Sequence, residues 1–162
     1  METAAQAQEL QPVKKGLEQN YDRHSTANIN DVVEMIRSAI TKVTRSKVRI
    51  NGIEVKVTST RLKTFAVKGT VCKNCGLTAT HFAIERDLPT AARNGRYHLN
   101  LWGIAKDGTE VLFTHDHTLA RALGGDPCNL ENTETMCCGC NFKKGLAEGK
   151  LVKQLRDEDK KP

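Results

Sequence analysis

Two cysteine pairs constrain the fold of this chain more than any other feature. Two residues separate the cysteines of each pair, Cys72 and Cys75 in VCKNCG and Cys137 and Cys140 in MCCGCN, and residues 76–136 lie between the pairs. A two-residue spacer lets both thiolates of a pair face one point, and Zn²⁺ prefers four ligands in a tetrahedron. The spacing therefore predicts a closed, structural four-cysteine zinc site, whose metal-binding free energy contributes to folding.

Two further cysteines, Cys128 and Cys138, lie outside this arrangement. We predict that each acts as a small buried hydrophobic residue or is a free thiol without a role. Cys138 could replace Cys137 as a ligand, but only one residue would then separate it from Cys140, so the longer spacing is preferred. A redox role for the pairs is the sharper alternative, although neither pair lies in a sequence resembling the βα turn of thioredoxin.

The composition indicates which partners suit the chain. A formal net charge of +6 and a pI of about 9.1 favour a polyanion, because phosphates attract Lys and Arg. Only 38% of the 162 residues are hydrophobic, so a metal ion or a partner would help to stabilise one modest core. No apolar stretch approaches the roughly 18–20 residues that span a bilayer. We therefore expect a soluble, cytoplasmic protein without a membrane partner.

The charge is concentrated in one segment. Residues 42–68 contain eight basic side chains and one acidic side chain, whereas residues 71–141 contain six basic and eight acidic ones. The eight basic residues are Lys42, Arg45, Lys47, Arg49, Lys56, Arg61, Lys63 and Lys68. This contrast predicts that the first segment gathers phosphate and the second a cation, although a simple solvated face is the alternative.

Local patterns predict a leader, a helix and a hairpin in the first part of the chain. Residues 1–27 are polar without a clear period, which predicts a flexible or weakly helical leader. An amphipathic helix follows from Asp31, which forms a capping-box pattern with Glu34. Its apolar residues are Val32, Ile36, Ala39, Ile40 and Val43. Alternating apolar residues around Asn51-Gly52 then predict a basic β-hairpin, with Lys47, Arg49, Lys56 and Arg61 pointing away from its apolar face.

A second hairpin is predicted from Tyr97 to Phe113, with a turn at residues 106–108. Its second strand leads into residues 114–117 (THDH), where alternation places side chains 115 and 117 on one face and 116 on the other. An amphipathic C-terminal helix, broken or kinked near Gly149, is predicted to carry Leu146, Leu151, Val152 and Leu155. For His24, His81 and His98 we expect local structural roles, and for Trp102 and Tyr97 sheet packing.

The residues at this predicted strand end suit phosphodiester hydrolysis, which needs a base to activate water and a cation to neutralise charge. A neutral histidine suits the base, and we choose His117. Asp116 and Asn141 offer oxygen ligands to a hard divalent cation such as Mg²⁺ or Mn²⁺.

The segment from Phe113 to Gly145 resembles the HNH endonuclease family, also called the ββα-metal or His-Me finger nucleases. The resemblance rests on four elements in order: Asp116-His117 at a strand end, Gly124-Gly125 in the following loop, Asn129-Leu130, and CxxCNxxKG over residues 137–145. The resemblance does not extend outside about residues 72–146. It implies an α+β fold in which a small ββα-metal module, stapled by the four-cysteine site, follows the helix and the basic hairpin.

The resemblance also implies roles for individual residues. The histidine of the DH pair, His117, would be the general base, and Asp116 and Asn141 would be metal ligands. Asn129 would hold the loop and orient the base through backbone hydrogen bonds. This chain ends its motif with Asn rather than His, which favours Mg²⁺ or Mn²⁺ over softer metals. His115 is additional: it would steer phosphate or contact the metal region, or have no catalytic role.

The leading hypothesis is therefore an endonuclease that nicks or cleaves DNA. The predicted DNA contacts are Lys47, Arg49, Lys56, Arg61, Lys63, Lys143 and Lys144, for which solvated surface lysines are the alternative. The other hypotheses are a zinc-stabilised nucleic-acid-binding module without catalysis, and a zinc-containing structural or regulatory protein with a protein partner. Small HNH proteins are common in phages and mobile elements, which suggests a bacterial or phage-infected cell, and a homodimer would suit paired cuts.

These predictions divide the chain into four parts. Residues 1–27 are the leader, 28–70 the DNA-binding arm, 71–147 the zinc-stapled nuclease module and 148–162 a helical tail.

Overall fold

The computed structural model describes residues 21–41, 46–88 and 95–158. These residues form seven strands and three helices. They are β1 (Tyr21–Ala27), α1 (Ile29–Thr41), β2 (Lys47–Ile50), β3 (Ile53–Lys56), α2 (Thr60–Lys68), β4 (Ala79–Asp87), β5 (His98–Ile104), β6 (Glu110–His117), β7 (Thr133–Cys137) and α3 (Cys138–Glu158). Residues 1–20 of the predicted leader, as well as Lys42, Val43 and Arg45, lie outside the described residues.

The strands form two antiparallel sheets. The larger has five strands in the order β1-β4-β5-β6-β7, and the smaller is the β2-β3 hairpin. Because every pairing is antiparallel, the helices are free to cover one face or end of the sheet rather than to connect parallel strands. The predicted α+β class is confirmed.

One hydrophobic core joins α1, α2, the small hairpin and one face of the large sheet. Phe65 of α2 packs against Phe82 of β4, with ring centroids 6.3 Å apart, and both rings are fully buried. The other large residues of this core include Ile36, Val55, Ile84, Leu99, Leu101 and Phe113. The predicted arm therefore shares its core with the strands that carry the predicted module.

Helix α1 and the β2-β3 hairpin form where the sequence predicts them. Asn28 caps α1 by accepting a hydrogen bond from the backbone of Asn30 at 2.8 Å, so the helix begins two residues before the predicted cap, Asp31. In the hairpin, Asn51 and Gly52 have φ values of 47° and 82°, which are the positive values that a two-residue turn requires. The predicted outward cations Lys47, Arg49 and Lys56 are exposed, whereas Arg61 belongs to α2.

Four elements were not predicted, namely β1, β4, α2 and β7. Residues Tyr21–Ala27, assigned to the flexible leader, form β1 and pair with β4, a strand that local pattern does not indicate. Helix α2 begins at the cap Ser59, whose hydroxyl accepts from the Leu62 amide at 3.3 Å. These segments are short or polar at the surface, so tertiary pairing rather than local pattern determines their structure.

The second predicted hairpin is confirmed as β5-β6, and it leads into β7 and α3. Helix α3 is continuous from Cys138 to Glu158, so the predicted break near Gly149 is wrong, and the boundary at residue 147 falls inside this helix. Three predicted apolar-face residues are exposed: Leu146 by 55%, Leu151 by 45% and Leu155 by 43%. None of the described helices combines the length and the apolar character needed to cross a bilayer.

A buried polar cluster lies on the sheet around Glu85 of β4. Its carboxylate accepts hydrogen bonds from Arg23 at 2.6 Å, Asn100 at 2.7 Å and Trp102 at 3.1 Å. His81 lies 3.3 Å from the neighbouring Glu110 carboxylate. These contacts agree with the structural roles predicted for His81 and Trp102, and the three donors around Glu85 offset the cost of burying its charge.

Candidate functional site

The four cysteines of the two CxxC pairs converge, as predicted. The sulfurs of Cys72, Cys75, Cys137 and Cys140 all lie within 4.8 Å of one another. A tetrahedral ion with Zn–S bonds of about 2.3 Å requires sulfurs about 3.8 Å apart, and Cys75 and Cys137 are separated by 3.8 Å. The set can hold a metal ion such as zinc, and among the described residues it is the one group of three or more His, Cys, Asp or Glu side chains with this spacing.

Hydrogen-bond donors surround the sulfurs. The Cys137 amide donates to Cys72 Sγ at 3.3 Å, and the Asn74 side chain donates to Cys140 Sγ at 3.2 Å. Burial alone would raise the pKa of Cys72, but hydrogen bonds from the backbone of Cys137, Cys75 and Asn74 lower this pKa to about 7. Burial raises the pKa of Cys137. One thiolate is thus formed easily near neutral pH, whereas its neighbour needs a bound cation before it loses its proton.

We call these four side chains the cysteine clamp. The clamp joins the segment after α2 to the end of β7 and the first turn of α3. Of the two remaining cysteines, Cys128 is exposed and Cys138 is partly buried, with a pKa raised by that burial. The choice of Cys137 over Cys138 as the ligand is supported by the sulfur positions, and Cys128 is not the buried hydrophobe that the sequence allowed.

The second cluster of interest lies where β6 ends. The pairing of β6 with β7 places His115 opposite Thr135 and His117 opposite Thr133, and α3 follows β7 directly. The rings of His115 and His117 pack edge to face with centroids 5.3 Å apart, which agrees with their predicted position on one strand face. Strand, strand and helix together form a ββα unit.

His117 is oriented by one backbone contact. Its Nε2 lies 3.3 Å from the carbonyl oxygen of Pro127. A carbonyl oxygen only accepts hydrogen bonds, so this contact requires the proton on Nε2 and leaves Nδ1 as the basic nitrogen. Among the described residues no hydrogen-bond partner occupies that Nδ1. The side chain is therefore arranged as a proton acceptor.

His115 differs from His117 in its surroundings. Its Nδ1 is buried without a hydrogen-bond partner among the described residues. Burial first, and then the nearby His117 and Arg61, lower the pKa of His115. The ring is thus neutral at pH 7 and cannot attract phosphate as a cation, which favours a packing role against His117.

Asp116 points to the opposite strand face and is bound by a lysine. Its Oδ2 lies 2.5 Å from Lys144 Nζ, which also donates to the His117 carbonyl at 2.5 Å and pairs with Glu148 at 3.0 Å. Asn141, one turn earlier in α3, donates to the His115 carbonyl at 3.3 Å. The predicted metal ligands Asp116 and Asn141 both face this strand end, but the ammonium group of Lys144 occupies one carboxylate oxygen of Asp116.

The donor set at the strand end suits a hard cation only with additional ligands. Asp116 and Asn141 offer one carboxylate and one amide oxygen, and no third His, Cys, Asp or Glu completes a metal cluster among the described residues. Mg²⁺ characteristically takes one or two protein ligands and completes its shell with water and phosphate oxygens. The residues fit Mg²⁺ or Mn²⁺ if water and phosphate oxygens complete the coordination shell and if the Lys144 ammonium group leaves Asp116.

The loop between β6 and β7 is braced by Asn132, which the sequence did not single out. Its side chain accepts from the Leu119 amide at 2.8 Å and donates to the carbonyls of Leu119 and Asp126, both at 3.1 Å. Asn129 instead makes a local bond to the Glu131 amide at 2.9 Å. The role of holding the loop, predicted for Asn129, therefore lies with Asn132. Its position one residue before β7 is the sequence feature that could have identified it.

Glycine is required at each of the two paired positions of this loop for a different physical reason. Gly124 has a φ of 92°, which favours glycine. At Gly125 a Cβ atom would lie 1.9 Å from the Leu119 carbonyl oxygen, so any side chain would force the loop apart. The two glycines allow the loop to fold back beneath Asn132 and deliver the Pro127 carbonyl to His117.

The predicted DNA contacts fall into two groups. Lys47, Arg49 and Lys56 lie on the outer face of the β2-β3 hairpin, and Lys143 is exposed on α3. Lys63 and Arg61 belong to α2 and are partly buried. Lys144 is engaged with Asp116 instead of being exposed for phosphate contact.

Comparison with family models, with curated proteins and with solved structures finds no match to this chain.

Proposed function

We propose that this chain is a metal-dependent HNH-type endonuclease that hydrolyses phosphodiester bonds in DNA. The observation that carries the proposal is the orientation of His117 at the end of β6. The contact of Nε2 with the Pro127 carbonyl at 3.3 Å leaves Nδ1 as an available base. The hydrogen-bonded loop and the fixed ring orientation favour a chemical role for this histidine.

The arrangement around His117 supports the proposal. Asp116 of β6 and Asn141 of α3 lie on adjoining elements of one ββα unit, and they are the oxygen ligands that the proposal assigns to the cation. Asn132 and the glycine pair hold the loop that orients the ring. The cysteine clamp, which we propose binds zinc, ties α3 to the rest of the unit and so fixes Asn141 relative to β6.

The chemistry assigns one task to each residue. His117 Nδ1 accepts a proton from the water that attacks phosphorus, and the edge of the neutral His115 ring limits its rotation. Asp116 and Asn141 would hold Mg²⁺ or Mn²⁺, which supplies positive charge to the phosphate oxygens and the leaving group when bound. The exposed Lys143 and the hairpin cations attract the DNA backbone.

A zinc-stabilised nucleic-acid-binding protein without catalysis is the second candidate, and one contact favours it. Lys144 lies 2.5 Å from Asp116 Oδ2 and neutralises the carboxylate that a divalent cation would need. If this ion pair is permanent, the chain binds DNA through its cations and does not hydrolyse it.

Nicking of supercoiled plasmid separates the two functions. We expect the native chain to nick the plasmid with Mg²⁺ or Mn²⁺, and His117→Ala to reduce the rate by about 10²- to 10⁴-fold, the usual contribution of a general base. Lys106→Ala, which removes an exposed side chain of the turn between β5 and β6, is the control and should retain the native rate. Equal nicking by His117→Ala and the native chain would overturn the assignment of the base, and DNA binding without nicking in either metal would favour the second candidate.

A further inference from the structure

A cleft of about 930 Å³ lies between the β2-β3 hairpin, the start of α2 and the start of β5. Its walls carry the cations Lys47, Lys56, Arg61 and Arg96 and the carboxylates Glu54 and Asp87. The rings of Tyr97 and His98 also line the cleft, and the cations outnumber the carboxylates by four to two. Neither Arg96 nor His98 belongs to the predicted DNA contacts, and the cleft has no part in the proposed chemistry at His117.

The charges of the cleft are incompletely balanced. Lys47 and Lys56 lie directly opposite each other in the hairpin, an arrangement that is unfavourable for like charges. Glu54 pairs with Lys47 at 2.7 Å, but Lys56 and Arg96 form no ion pair with another described residue. An anion in the cleft would therefore relieve repulsion that the protein itself leaves in place.

The cleft leads towards the candidate base. Arg61 Nη2 donates to the Leu99 carbonyl at 2.9 Å, which fixes its guanidinium beside β5. The β5-β6 pairing ends at Leu101 and Phe113, so Leu99 and His115 each lie two residues beyond its last pair. His115 in turn packs against His117 at 5.3 Å. Burial first, and then the charge of Arg61, lower the pKa of His98 at the start of β5.

We propose that this cleft binds an unpaired strand of DNA, with its phosphates against Lys56 and Arg96 and its bases against the parts of the Tyr97 and His98 rings that Arg86 and Tyr21 leave uncovered. Grooves for single strands combine backbone-tracking cations with aromatic surfaces in this way. The volume lies within the range of about 300–1,000 Å³ typical of ligand pockets, which admits a few unpaired nucleotides, whereas a duplex can only lie across the rim.

The consequence for the reaction rests on the proposed function. If a strand that leaves the cleft past Arg61 continues to His117, a substrate with a single-stranded arm would be cut where the arm begins. The binding step itself does not depend on catalysis, and it can be measured without a divalent cation.

Fluorescence anisotropy tests the binding step. Labelled oligo(dT) and a hairpin duplex of equal phosphate number are titrated with the zinc-loaded chain in a divalent-free buffer. We expect tighter binding of oligo(dT), and at least a tenfold loss with the double variant Lys56→Glu/Arg96→Glu. The log–log slope of binding against salt should also fall by about 0.7 for each phosphate that the variant no longer neutralises. Lys106→Glu/Lys153→Glu, which makes the same charge change at exposed positions outside the cleft, should weaken binding less than threefold.

Three outcomes contradict the proposal: duplex bound as tightly as oligo(dT), equal losses in the two double variants, or no binding of oligo(dT) by the native chain. Oligo(dT) with 5-iodouracil at one position should also photocross-link to the peptide containing residues 96–98, and a cross-link confined to α3 would place the strand elsewhere. Plasmid nicking is scored separately. A cleft that binds oligo(dT) in a chain that never nicks would refute the proposed function and leave the cleft assignment intact.

Discussion

Two places in the molecule differ in whether a side chain of the protein already supplies positive charge. At the cysteine clamp four sulfurs lie within 4.8 Å of one another, and no side-chain cation of the described residues reaches them. At the end of β6 the Asp116 carboxylate already has a cation, the ammonium group of Lys144 at 2.5 Å. The clamp can therefore accept a metal ion, whereas at the strand end a lysine of the protein already supplies the positive charge.

This difference indicates how the two sites divide their work. An ion held by four protein ligands has no open position and stabilises the fold. A carboxylate paired with a flexible lysine can exchange that partner, and Lys144 has Glu148 at 3.0 Å to receive it when a divalent cation binds. We expect the clamp to hold its ion permanently and the strand end to bind an exchangeable ion.

Disrupting the clamp should have the largest effect. Cys72→Ser removes a buried ligand at the point where the segment after α2 meets β7, so we expect zinc to be lost together with cooperative unfolding of the chain. Thermal unfolding followed by circular dichroism, with metal content measured on the same sample, checks this outcome. Cys128→Ser, which changes an exposed thiol, should keep the native melting temperature and one zinc per chain.

A change in the loop at the strand end should have an intermediate effect. Asn132→Ala leaves three backbone groups of Leu119 and Asp126 without their partner, and we expect the free energy of unfolding to fall by about 2–3 kcal/mol. Asn129→Ala removes one local hydrogen bond and should cost about 0.5–1 kcal/mol. Urea denaturation of both variants decides whether Asn132 is the brace, and a larger loss in Asn129→Ala would reverse the assignment.

The sequence predicted the clamp better than the strand-end site, for a physical reason. Thiolates at CxxC spacing have few uses other than metal binding, so Cys72, Cys75, Cys137 and Cys140 could be paired across the chain without knowledge of the fold. The strand-end contacts depend on which loop residue reaches back to Leu119. Several asparagines follow His117, and spacing alone did not separate Asn132 from Asn129.

The fold shows the same contrast. The Asn51-Gly52 hairpin and α1 follow from strong local patterns. Strand β1 does not, because its polar sequence YDRHSTA becomes a strand only by pairing with β4 and by burying Arg23 against Glu85. The role of Lys144 was also missed, because a lysine at a helix start usually remains exposed and only the close packing of α3 on β6 brings it to Asp116.

A change at Lys144 should have a smaller effect on stability than the loss of Asn132. The Lys144–Asp116 pair is partly buried, with 28% and 11% of the two side chains exposed. We expect Lys144→Met to lower the free energy of unfolding by about 1–2 kcal/mol without divalent cations, between the values for exposed and buried pairs. Added Mg²⁺ should recover part of this loss, because it can take the position of the ammonium group. Lys143→Met, at the neighbouring exposed position, should change stability by less than about 0.5 kcal/mol.

Titration of Mn²⁺ into the zinc-loaded chain, followed by electron paramagnetic resonance, tests the central claim most directly. We predict that the native chain keeps one zinc throughout and binds one exchangeable Mn²⁺, that Lys144→Met binds it more tightly, and that Asp116→Asn binds it at least tenfold more weakly. Native protein that binds no Mn²⁺, or Asp116→Asn protein that binds it as the native chain does, would contradict the existence of an exchangeable cation site beside His117.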